Sequence, residues 1–249
     1  MNKIKKILYV AFPIAFWLVV WQVAYIYIGL DFVLPSIKDT FVAFFSNIIT
    51  FKFWKSVFLS FTRIFFGFVL GVLMGCIFAY GSERSKLIFN ILSPAMSVIK
   101  STPVASFILV IWVMIGSSTV PIAIAVLMVI PIVWQNLING FNSVDKAMVE
   151  VCDVFEVKGF KRFKILTLPK LVKFFIPAVL TSSGLAWKAG VAAEIISYTK
   201  NSIGKEISDS KNFFEGADLF AWTITVIIFS LLIEKVITVA VRRCNSYET

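Results

Sequence analysis

The chain alternates long apolar runs with short polar gaps, and the runs have the length of membrane-crossing helices. Ile7 to Leu30 carries no charge; as a helix it would rise about 36 Å, enough to cross a hydrocarbon core of ~30 Å. That run is too long for a signal-peptide core, so an uncleaved first span (7–30) is expected. A second run, 56–81, repeats glycine at Gly67, Gly71 and Gly75, a ladder that lets a neighbouring helix come close. From Ser101 to Val144 there is no charge at all. One straight helix of that length would measure about 66 Å, so the stretch must fold back, and Ile115-Gly-Ser-Ser-Thr119 is the break. Spans at 91–114 and 120–139 follow, with Pro94, Pro103, Pro121 and Pro131 expected to kink or interrupt them. Runs at 174–198 and 219–240 complete six, and the pattern predicts one all-α integral membrane domain over residues 1–249.

Composition agrees: the 249 residues are 59% hydrophobic and 15% charged, outside the range of soluble globular domains. The same arithmetic excludes a disordered chain. The formal charge of +10 would suggest nucleic acid if it formed one basic face, but it sits in the gaps between apolar runs. With the N-terminus inside, segments 1–6, 82–90, 141–173 and 241–249 hold 14 of the 24 Lys and Arg, against 6 in the outer segments. This bias places both termini in the cytoplasm. Histidine is absent, which removes His-based metal sites and His general bases. Cys76, Cys152 and Cys244 are far apart and read as small apolar residues.

The most informative polar gap is 143–169. At helical spacing Ala147, Met148, Val151, Val154 and Phe155 form an apolar stripe, with Lys146, Glu150, Asp153 and Glu156 largely on other faces. Ser143 is the expected N-cap and Gly159 the expected stop. A partner's groove and the bilayer headgroup region are both physical covers for such a stripe.

Val149-Glu150-Val151-Cys152, with Leu168-Pro169 downstream, resembles the EAA loop of ABC importer permeases. The stretch Gly184-Leu-Ala-Trp-Lys-Ala-Gly-Val-Ala-Ala-Glu194 is similar to the fifth-span motif of the nitrate/sulfonate/taurine subgroup. Ser60–Gly75 and Thr102–Phe107 resemble that subgroup's second and third spans. The resemblance implies a type I importer fold in which 143–169 is a coupling helix loop docking on a cytoplasmic ATPase. Its contact residues would be Ala147, Met148, Glu150, Val151, Asp153, Val154, Phe155 and Gly159. A second permease subunit, expected to be an identical copy, and an extracytoplasmic substrate-binding protein complete the implied assembly in a bacterial plasma membrane. Two departures stand out: Val151 and Cys152 replace the family alanines, and Glu156 stands where a turn glycine is usual, so the turn is expected nearer Gly159. No G-x-x-x-x-G-K-[ST] phosphate loop is present, so ATP and Mg are expected on the partner and no cofactor on this chain.

Charges inside the spans are costly and mark either a solute path or an interior ion pair. Lys100, Trp187, Lys188 and Glu194 are the candidate pathway residues, favouring a small anionic or polar solute; the competing reading pairs Lys100 with Glu194. An ion-gradient-driven secondary transporter is the alternative function, but it calls for paired carboxylates in the spans, and only Glu194 lies well inside one.

Overall fold

The structure, a computed structural model, describes residues 3–245, and every regular element among them is helical. In chain order these are α1 (Lys3–Ile28), α2 (Ile37–Ile48), α3 (Phe51–Arg84), α4 (Lys86–Ser101), α5 (Val104–Ile115) and α6 (Val120–Asn142). They continue with α7 (Lys146–Val154), α8 (Gly159–Arg162), a π-helical turn (Phe163–Thr167), α9 (Leu168–Ser197), α10 (Ile203–Asn212) and α11 (Gly216–Asn245). Helices α3 and α6 and the Gly216–Val239 part of α11 are long and apolar enough to cross a membrane. The pair α4 and α5 makes a fourth if taken as one bent span. Helix α9, at 30 residues, rises about 45 Å, although Lys170, Lys173, Lys188 and Glu194 dilute its hydropathy. The expected position of both chain ends falls on residues 1–2 and 246–249, outside the described residues.

The third expected span, 91–114, is not one rod. It breaks between α4 and α5 with a bend of 106°. Pro103 forces Thr102 into an extended conformation (φ −82°, ψ 134°) and offers no N–H to continue the helix. Pro94 and Pro131, by contrast, are absorbed within α4 and α6. Two stretches read as outer connectors are helical: α2, capped by Ser36, and α10, capped by Ser202.

The centre of the molecule is the packing of α3, α6 and α9. Glycine lets α3 reach α6: a Cβ at Gly67 would stand 2.5 Å from the Ile122 carbonyl, and at Gly71 and Gly75 it would meet Val129 and Val133 at 2.7 and 2.8 Å. Gly190 of α9 likewise lies against Ile64. Small residues turn inward (Ser56, Ser60, Ser182, Ser183) while Phe58, Leu73, Ile77 and Leu231 turn outward. Lipid is as apolar as leucine, so close backbone contact rather than hydrophobic exclusion selects what faces the interior. On the outer flank Asn47 of α2 donates to Asp218 of α11 at 2.7 Å, and Trp21 of α1 donates to the Pro35 carbonyl at 3.0 Å.

Candidate functional site

The loop 143–169 is built around α7. Its N-cap is Asp145, whose carboxylate accepts from the Ala147 N–H at 3.0 Å, and not the expected Ser143, whose hydroxyl donates back to the Gly140 carbonyl. At the other end Val157 N–H reaches the Cys152 carbonyl at 2.8 Å and Glu156 N–H reaches that of Asp153 at 3.1 Å. This is a Schellman close, and its left-handed residue is Glu156, with φ +51°. The turn therefore sits where the family glycine was expected, not displaced to Gly159. Gly159 has a positive φ of its own, +59°, at the start of α8.

Cys152 is the buried face of α7. Met148, Val151, Val154 and Phe155 are exposed, the last two at 79% and 75%, and Ala147, Glu150 and Asp153 are exposed beside them. Arg162 of α8 donates to Asp153 at 2.7 Å, bracing the two short helices. From α8 the backbone passes through the π turn into α9 without an extended linker, and Leu166 of that turn is buried. No extended segment separates the loop from the foot of α9.

The second set of residues lies along α9 and is divided by the fold. Trp187 is 1% exposed; its indole N–H donates to the Val226 carbonyl of α11 at 3.1 Å, and its ring lies near Phe229. Glu194 is fully enclosed. Its Oε2 accepts from the Ser60 hydroxyl at 2.7 Å and the Gly204 N–H at 3.3 Å, while Oε1 faces Arg63 Nη1 at 3.7 Å. Ser60 Oγ also accepts from the Ile203 N–H at 2.9 Å, so Glu194 and Ser60 together satisfy the first amides of α10. Arg63 completes the knot by donating to the Lys200 and Asn201 carbonyls. The ion-pair partner of Glu194 is thus Arg63, correcting the expected alternative of Lys100.

Lys100 and Lys188 are exposed and lie apart from that knot. Lys100 Nζ approaches Gln135 Oε1 of α6 at 3.5 Å, and Gln135 in turn donates to Asn139 at 3.2 Å. The four candidate pathway residues are therefore not one cluster: Trp187 and Glu194 face the interior, Lys100 and Lys188 the surface. Ser60, Gln135 and Asn139 escaped the sequence reading. No local signal marked Ser60, whose partners Glu194 and Ile203 lie 134 and 143 positions away.

A family model described as "Binding-protein-dependent transport system inner membrane component" matches residues 67–245. The "Putative aliphatic sulfonates transport permease protein SsuC" of Bacillus subtilis is 24% identical over 222 residues, covering 87% of this chain and 80% of that protein. The "Nitrate import permease protein NrtB" of Synechocystis sp. is 27% identical over 244 residues, covering 93% and 87%. Among solved structures, an amino acid ABC transporter with histidines superposes with a TM-score of 0.64 at 17% identity, over 77% of this chain and 94% of that one. A bacterial ABC transporter involved in the import of the acidic polysaccharide alginate gives 0.59 at 15% identity, over 96% and 98%. These two show the same fold.

Proposed function

The chain belongs to the family of inner-membrane components of binding-protein-dependent transport systems, and from that premise we propose how this ABC importer permease is driven and what it carries. Residues 143–169 are the docking point for a cytoplasmic ATPase. The observation that carries this is the outward apolar face of α7, Met148, Val151, Val154 and Phe155, on an element held rigid by its caps and by the Asp153–Arg162 pair. A short helix with such a face in a cytosolic loop needs a groove to cover it. ATP-driven closure of the partner moves α7 as a body, and α9, continuous with the loop through the π turn, swings with it.

ATP and Mg are bound by that partner; this chain is non-catalytic and takes no cofactor. A second copy completes the pore, an external binding protein delivers solute, and both termini lie in the cytoplasm of a bacterial cell. Lys100 and Lys188 line the path, whereas Trp187 and Glu194 hold α9 in place. The solute is a small anion or polar molecule, a reading supported by relatives named for aliphatic sulfonates and nitrate.

The test is reconstitution into proteoliposomes with and without a candidate ATPase and binding protein from the same genome, using nitrate and ethanesulfonate as probes. Uptake that needs ATP and the ATPase is the expected result. Uphill uptake by the chain alone overturns the reading.

A further inference from the structure

Four cations, Arg63, Lys100, Lys188 and Lys235, lie within the expected spans; Lys235 follows Glu234 near the end of the last, and Glu194 is the carboxylate enclosed among the helices. Arg63 takes it. Among the described residues no carboxylate lies within 4.0 Å of Lys100 or Lys188. A lysine at membrane depth without a counter-charge is strongly unfavourable unless it faces water or meets an anion.

The surroundings of Lys100 are specific. It stands at the end of α4, directly before the 106° break, with its ammonium on the Gln135 carbonyl oxygen at 3.5 Å. Gln135 is oriented from its other side by Asn139, four residues on and on the same face of α6. Ser97 and Ser101 of α4 are exposed beside Lys100, with their own hydroxyl protons given to backbone carbonyls. Polar groups thus run from the break toward the inner end of α6, roughly 10 Å beyond Gln135. The run contains an ammonium, two amides and hydroxyls, and no carboxylate.

We propose that Lys100, Gln135 and Asn139 form an anion track on the inner half of the translocation path, with Gln135 a specificity-determining residue that holds the Lys100 ammonium toward a passing oxyanion. The inference rests on the importer reading above and adds a place and a charge selection to it. Lipid does not fit this face, because acyl chains satisfy neither amides nor an ammonium. A dry contact with a second copy does not fit where the two-fold axis passes Lys100, since there it sets like charge toward like. An aqueous path with an anionic occupant fits both.

The test needs no knowledge of the natural solute. In a chain lacking Cys76, Cys152 and Cys244, Gln135→Cys and Asn139→Cys are labelled in membrane vesicles with two methanethiosulfonates of similar size, one carrying a sulfonate and one a trimethylammonium. The sulfonate reagent is expected to react about tenfold faster, an order set by one nearby unit charge in partly screened surroundings. Lys100→Gln is expected to bring the two rates together, and Lys100→Arg to keep them apart, which separates charge from mere structural support. Leu73→Cys, on the outward face of α3, is expected to react with neither. Failure of both reagents at 135 and 139, equal rates, a faster cationic reagent, or a preference that survives Lys100→Gln each overturns the proposal. Retention of the ATPase by the same cysteine variants is scored separately, so loss of the track and loss of the importer reading are told apart.

Discussion

Arg63 and Glu194, 131 positions apart in sequence, face each other at 3.7 Å between α3 and α9, and Ser60 closes the contact from one turn below Arg63. Because Glu194 also caps the start of α10, helices α3, α9 and α10 share one polar knot. Gly204 permits it: a Cβ there would stand 2.4 Å from that of Glu194. Glu194 is fully enclosed and the Arg63 side chain partly exposed, so removing Arg63 leaves a buried carboxylate without its cation. Arg63→Met is expected to cost about 3–5 kcal/mol, and adding Glu194→Gln to recover part of it. Thermal unfolding in detergent of both single variants and the double checks this; strict additivity would show that the pair is not coupled.

Ser60→Ala tests the knot without changing charge. It removes a hydroxyl that serves both Glu194 and the Ile203 amide, so a loss of about 2 kcal/mol is expected. Amide exchange should quicken at Ile203 and Gly204 first, and unchanged exchange there would contradict the assignment.

Glu156 occupies a left-handed position that glycine adopts freely. Glu156→Gly is expected to stabilise the end of α7 by about 1 kcal/mol, and Glu156→Val to destabilise it by more, since branching at Cβ worsens the clash. Hydrogen exchange at Glu156 and Val157, whose amides close the Schellman turn, reads the effect directly.

Gly67 and Gly184 form a matched pair. A methyl at Gly67 runs into the Ile122 backbone, whereas nothing stands within 4 Å of one at Gly184. Gly67→Ala is therefore expected to lose about 1–3 kcal/mol through overpacking, with Gly184→Ala close to neutral in stability. Comparison of their melting temperatures in the same detergent decides it.

Phe155→Asp places a charge on the proposed docking face while α7 keeps its caps. ATPase retained on the purified permease is expected to fall at least about thirtyfold, the effect of losing ~2 kcal/mol from an interface anchor. Equal retention would place the contact elsewhere.

The apolar runs, the glycine ladder and the basic inner gaps were legible in the sequence because membrane and helix each impose one dominant period. Gly67, Gly71 and Gly75 announced a close helix contact from spacing alone, although not that α6 would fill it. The stripe of α7 was equally plain, being set by neighbours three and four residues apart. The end of α7 was misplaced, because glycine is the usual occupant of a left-handed turn and the backbone here imposes that conformation on a glutamate.

What composition and periodicity determined, then, is that the chain is helical, that it carries helices apolar enough for a membrane and which short helix presents an apolar face. Tertiary structure alone decided which charge answers which. Arg63 rather than Lys100 meets Glu194, Trp187 turns into the core and Lys188 out of it, and Lys100 finds Gln135. Such pairings depend on the rotation and depth of helices far apart in sequence, and no local pattern encodes either; they are set when the small faces of α3, α6 and α9 lock together.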